Sequence, residues 1–94
     1  MFSMKVQQDG EIALSGRFDA AQAEEALKTF NGVTSSAVVN FKELEYISSA
    51  GLGVLIATQR RLKNSGQELK LINLNSHIRD VFRYARFDLI FKIE

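Results

Sequence analysis

The residues in this chain whose types and spacing could do chemistry lie together in Tyr46-Ile47-Ser48-Ser49-Ala50-Gly51-Leu52-Gly53-Val54-Leu55-Ile56. Two serines stand where an apolar, strand-like run gives way to a helix-like segment. The start of a helix presents unpaired backbone N–H groups and a partial positive charge, so it attracts an anion. Either serine can cap that helix by accepting a hydrogen bond from an N–H two or three residues on. A phosphate on one of them would add about −1.5 to −2 charge at the same spot. The junction therefore reads as a candidate switch. Gly51 and Gly53 need a separate reason, because glycine within a helix costs roughly 0.5–1 kcal/mol relative to alanine. Close approach by a neighbouring strand or by another protein supplies one. Leu52 and Val54 point in different directions around the helix, so both are not expected in the core.

Other chemistries find little footing. Gly51-x-Gly53 lacks the third glycine of a dinucleotide fingerprint, and no Gly-Lys-Ser/Thr phosphate loop occurs. Neither serine sits in Gly-x-Ser-x-Gly, so no nucleophile elbow is formed. His77 is the single histidine, and its place in the first turn of a helix suits a surface residue. Asp19, Glu43, Glu45 and Asp80 have no metal-ligand spacing. Arg60-Arg61-x-Lys63 reads as a solvated helix C-terminus, where cations complement the dipole. Without cysteine there is no disulfide, zinc thiolate or thiol nucleophile. These readings lead us to expect a protein that is not an enzyme and carries no metal or cofactor.

The elements that must position the serines can be read in order. At 94 residues the chain suits a single domain over residues 1–94. Twelve basic against 11 acidic residues leave a net charge of +1, which gives no argument for nucleic acid or an anionic membrane. No apolar run approaches the roughly 20 residues of a membrane span, so no membrane insertion and a cytoplasmic location are expected. Phe2, Met4 and Val6 alternate with polar residues as in a half-buried strand. Asp9-Gly10 marks a hairpin turn, and Ile12, Leu14 and Gly16 continue a second strand. Asp19 and Gln22 form a capping-box pattern for a helix that buries Ala23, Ala26, Leu27 and Phe30 and stops near Asn31-Gly32. The run from Ser36 to Phe41 suits a central strand, with Lys42–Ile47 expected as a short connection. A helix is expected from Ser49 to about Asn64, then a strand over Glu68–Leu74. Asn75 or Ser76 caps a third helix with Ile78, Val81, Phe82 and Ala85 inward, and Leu89-Ile90-Phe91 with Ile93 reads as a terminal strand. The order β-β-α-β-α-β-α-β implies an α/β fold with a mixed sheet of four to five strands and three or more helices.

Ile47-Ser48-Ser49-Ala50-Gly51-Leu52-Gly53-Val54-Leu55, preceded by Val38-Val39-Asn40-Phe41, resembles the signature of the STAS domain, the family of the bacterial anti-sigma-factor antagonists. Gly16-Arg17-Phe18-Asp19 is similar to the family's Gly-x-x-Asp pattern. Leu69–Leu74 followed by Ile78–Phe82 is similar to its closing strand and helix. The resemblance implies an anti-sigma factor antagonist acting by partner switching. Its unphosphorylated form would bind an anti-sigma factor that is also a serine kinase, and a serine/threonine phosphatase would reverse the modification. Aligned through Gly51, the family's phosphoacceptor falls on Ser49, with Ser48 the rival. Asp19, Ser48, Ser49, Ala50, Gly51, Leu52 and Gly53 are the partner-binding residues it implies. Three positions depart from the usual pattern: Ser48 for Asp, Ala50 for Ser or Thr, and Asn40 for Asp. The departures keep open an alternative from the same family, a structural STAS subunit of a membrane transport complex.

Overall fold

The computed structural model describes residues 1–94. Its first hairpin pairs β1 (Ser3–Val6) with β2 (Ile12–Phe18) antiparallel, and the turn between them uses Gly10 at φ +88°. The chain then runs through α1 (Ala20–Asn31), β3 (Ala37–Ile47), α2 (Ser49–Lys63), β4 (Leu69–Ile72) and α3 (Ser76–Tyr84). A single 3-10 turn, η1 (Phe87–Leu89), precedes the short β5 (Lys92–Ile93). The five strands form one mixed sheet in the order β1-β2-β3-β4-β5, parallel from β2 onward. The α/β reading, its element order and its strand number are those of the molecule.

Ala85, expected inward, is exposed past the end of α3, and two stretches depart further from the sequence reading, for physical reasons. The residues expected as a connection, Lys42–Ile47, belong to β3, which runs for 11 residues. Pairing passes from Ala13↔Asn40 to Ser15↔Glu43, and from Gly16↔Leu44 to Arg17↔Tyr46, so β3 carries one extra residue at each step. Each bulge shifts the inward face by one position. The buried residues of β3 therefore fall at Val39, Phe41, Leu44 and Ile47, and strict alternation is lost where Lys42, Glu43 and Glu45 intervene. The C-terminal apolar group is the second correction. Phe87–Leu89 forms the 3-10 turn and only Lys92–Ile93 pairs as strand, since Leu89 is 80% exposed and Phe91 is the buried member.

One core holds these elements together. It joins Ile12, Leu14 and Phe18 of β2, Phe30 of α1, the four inward residues of β3, Leu55 and Leu62 of α2, and Ile78 and Phe82 of α3. Phe82 lies edge-on to Phe41, Phe87 and Phe91, at centroid distances of 6.0, 6.5 and 5.8 Å. Such edge-to-face pairs add about 0.5–1.5 kcal/mol each beyond burial. Phe2 stacks on Phe18 at 4.6 Å and fixes the opening hairpin over the end of β2.

Local rules set the helix starts. Asp19 caps α1 by accepting from the Ala21 N–H, while Gln22 Oε1 accepts from the Asp19 N–H at 3.2 Å, completing the expected capping box. Asn75 caps α3 by accepting from the Ile78 N–H at 2.8 Å and also donates to the Leu44 carbonyl at 3.2 Å. The end of α2 departs from expectation at Arg61. Its Nη2 donates to the carbonyls of Phe30 and Val33 at 2.9 and 2.8 Å, so this cation closes the C-terminus of α1 instead of facing solvent. Arg60 and Lys63 remain exposed.

Candidate functional site: the start of the second helix

Parallel pairing of β2 with β3 ends with Phe18 opposite Ile47, so the residues that follow each strand lie side by side. The Ser48 N–H donates to the Phe18 carbonyl at 2.9 Å. Asp19 and Ser48, the caps of α1 and α2, thereby stand at adjacent strand ends. Ser48 has an extended backbone, φ −89° and ψ 171°, and its Oγ accepts from the Gly51 N–H at 3.2 Å. Of the two serines it is Ser48 that serves as the helix cap. Ser49 is the first residue of α2 and is exposed, with its hydroxyl outside the cap.

The two glycines have different reasons. A Cβ on Gly51 would lie 3.0 Å from the Phe18 carbonyl oxygen and from Ile47 Cγ1, and 3.1 Å from Phe18 Cγ. The packing of the fold itself favours a glycine here. A Cβ on Gly53 would meet nothing within 4 Å, so the intramolecular packing does not ask for it. We expect Gly51→Ala to destabilise the domain by about 1–3 kcal/mol through overpacking against backbone. Gly53→Ala should stabilise it by about 0.5–1 kcal/mol through helix propensity. Urea unfolding midpoints of the two variants check the opposite signs.

The expected contact surface is smaller than the sequence suggested. Gly51 and Leu52 are buried, Leu52 at 7% exposure, and Val54 is buried beside it at 6%. Both apolar side chains enter the core because α2 packs against α1 as well as against the sheet, so its buried arc is wider than a single stripe. Its inward residues run through Gly51, Leu52, Val54, Leu55, Thr58, Gln59 and Leu62. What remains open at the junction is Ser49 and Gly53, flanked by the half-buried Asp19, Ser48 and Ala50.

A further pair lies near the same strand ends. Arg17 and Tyr46 are register partners near the ends of β2 and β3, and the Arg17 guanidinium lies 4.3 Å from the Tyr46 ring centroid. Each stands two residues before a cap, Asp19 or Ser48 respectively. The stacking is worth about 0.5–1 kcal/mol at an exposed site and holds both side chains in place. Arginine and tyrosine are the types enriched at interface hot spots. Only knowledge of the β2–β3 register, which the bulges of β3 displace, joins them in the sequence.

No helix is long and apolar enough to cross a membrane. His77 is exposed on the first turn of α3.

Comparison with known proteins agrees with this architecture. The model of the family described as "Mlab, STAS domain" matches residues 3–92. BtrV of Bordetella bronchiseptica, named as an anti-sigma factor antagonist, is 34% identical over 82 residues, covering 87% of this chain and 70% of BtrV. Among solved structures, an anti-sigma factor antagonist from Thermotoga maritima superposes with a TM-score of 0.81 at 22% identity, over 98% of this chain and 84% of that one. The unphosphorylated form of SpoIIAA, an anti-sigma factor antagonist, gives 0.73 at 18% identity, over 100% of this chain and 87% of its own. The phosphorylated form of the Bacillus protein gives 0.72 at 18%, over 100% and 91%. Sheet order, the serine junction at the start of α2 and the match over residues 3–92 together make this chain a member of the STAS domain family.

Proposed function

We propose that this chain is an anti-sigma factor antagonist whose choice of partner is controlled by phosphorylation of Ser49. The observation that carries the reading is the division of labour at the junction. Ser48 holds the helix cap, and Ser49 offers an exposed hydroxyl at the first helical position. Its relative BtrV, named as an antagonist, supports the same role. In this reading the unphosphorylated face, made of Ser49, Ala50, Gly53, Asp19 and the Arg17–Tyr46 pair, docks on an anti-sigma factor that is also a serine kinase. ATP and its metal belong to that partner. A serine/threonine phosphatase returns the modified form to the binding state.

Two properties of the site support a switch that acts on the interface and leaves the fold in place. A phosphate at the first position of a helix gains from the backbone dipole. SpoIIAA keeps its fold in both states, since its two forms match this chain almost equally, at 0.73 and 0.72. The family's usual Asp stands as Ser48 here, and a neutral cap removes one charge that would repel a phosphate on Ser49. It also removes a carboxylate that could orient the acceptor, and this keeps a second reading in view. In that reading the domain is a structural subunit of a membrane transport complex and Ser49 is never modified.

The test is site mapping. The purified chain is incubated with ATP, Mg²⁺ and a lysate of its own cells, then analysed by mass spectrometry. We expect one phosphate on Ser49, none in Ser49→Ala, and undiminished modification in Ser48→Ala. Modification at Ser48 alone, or at neither serine, overturns the proposal.

A further inference from the structure

Away from the serine junction, Arg79 and Arg83 of α3 line a cleft of about 260 Å³ together with Asp88 of η1 and Ile93 of β5. Four residues apart on one helix, the two arginines stand one above the other on the same face. Two like charges in that relation repel, and the fold does little to neutralise them. The molecule has four ion pairs, and Arg79 belongs to none of them. Arg83 pairs only with Asp80, at 3.9 Å with side chains 68% and 70% exposed, a contact worth little in water. Asp88, which also lines the cleft, is in no ion pair either. Its place is set by Arg86, which takes the left-handed conformation at φ 61° and turns the chain from α3 into η1. A non-glycine residue adopts that conformation at some cost.

The cleft thus offers two planar guanidinium forks, one carboxylate acceptor and one apolar side chain, that of Ile93. Guanidinium forks match the oxygens of a phosphate or carboxylate. An unpaired carboxylate beside them repels an oxyanion that has lost every proton. It accepts a hydrogen bond from one that keeps an O–H. We propose that this cleft binds a phosphate group carrying one proton, with Arg79 and Arg83 on its bare oxygens, Asp88 accepting from its P–OH, and Ile93 against whatever carbon the phosphate esterifies. The site is independent of the serine junction and of its function.

The test uses the full ¹⁵N-labelled chain at about pH 6, near the second ionisation of a phosphomonoester. Sodium phosphate and sodium sulfate are titrated at matched ionic strength, and amide and arginine Nε–H signals are followed. Sulfate has the shape of phosphate but no proton to donate. We expect saturable shifts at Arg79, Arg83 and Asp88 with phosphate and at least several-fold weaker binding of sulfate. The double variant Arg79→Gln/Arg83→Gln should lose the response, and Asp88→Asn should lose the preference for phosphate over sulfate. The rest of each spectrum reports that the variant is folded. Phenyl phosphate separates the sources: tighter saturation than inorganic phosphate assigns the cleft to an ester, and the reverse assigns it to the free ion. Linear shifts, equal responses to phosphate and sulfate, or a response that survives in the double variant would overturn the site.

Discussion

Ser49→Asp is expected to weaken binding of the anti-sigma factor partner on the order of a hundredfold, equivalent to about 3 kcal/mol, with no loss of domain stability. The two halves of that expectation have separate causes. Ser49 is the first residue of α2 and its hydroxyl takes no part in the cap, so a carboxylate there leaves the Ser48–Gly51 hydrogen bond intact. A negative charge at a helix N-terminus gains about 0.3–1 kcal/mol, and the unfolding midpoint should hold or rise slightly. In the proposed docked state the damage would come from desolvating the new charge near Asp19. Asp19 cannot move away, because its carboxylate and backbone N–H are both engaged in the capping box of α1. Ser49→Ala, which adds no charge, should bind like the wild type. Pull-downs from a lysate of the source cells, with the three proteins as baits, read the outcome by mass spectrometry. Loss of a serine kinase from the Ser49→Asp bait alone fits the switch. Equal capture of the same transport components by all three baits would assign the domain to a transporter and reduce Ser49 to a helix residue.

The parts of the site that were legible in the sequence are those governed by local rules. A cap needs only a side chain and an N–H a few residues on, so Asp19 with Gln22, the Ser48 or Ser49 choice, and the Asn75 or Ser76 choice could all be read from spacing. The choice within each serine or asparagine pair was not legible, because it depends on the backbone. The extended Ser48 is tied to Phe18 by its N–H. Residues whose role depends on long-range geometry escaped. On a helix with a single buried stripe Leu52 and Val54 exclude one another as core residues, whereas α2 is packed on more than one side. The last six residues of β3 passed for a connection because two bulges break the period of two. Arg61 looked solvated because its partners, the Phe30 and Val33 carbonyls, lie 31 and 28 residues away in sequence. Gly51 and Gly53 look alike in the sequence, and only the packing of Phe18 and Ile47 against Gly51 separates them.

Gln59 is the most consequential of these long-range residues, and its replacement by leucine should cost about 2–6 kcal/mol. The side chain is 1% exposed, in the middle of α2. Its Oε1 accepts from the Leu69 N–H at 2.7 Å and its Nε2 donates to the Ile90 carbonyl at 2.9 Å. One amide thus ties the start of β4 to the segment between η1 and β5. Leucine has nearly the same bulk, so the substitution opens little cavity, and its effect comes from the two backbone groups it strands. A buried donor or acceptor left without a partner costs about 1–3 kcal/mol, which gives the range above for the pair. Against a total stability of about 5–15 kcal/mol for a small domain, that loss moves the urea midpoint well outside error. Thr58→Val supplies the matched control in the next residue. The Thr58 hydroxyl donates to the Val54 carbonyl at 2.9 Å, which already accepts the helical N–H of Thr58. Removing the hydroxyl therefore strands nothing, and the change should stay within about 1 kcal/mol. The slopes of the two unfolding curves should agree with that of the wild type, since the surface exposed on unfolding is the same. If Gln59→Leu unfolds at the same urea concentration as Thr58→Val, the Leu69 and Ile90 groups find other partners and the amide is not the tie between them. If it unfolds much earlier, hydrogen exchange should show where. Amides of β4, η1 and β5 would then lose protection before those of β2 and α1, because the severed contacts hold the C-terminal third of the chain onto α2.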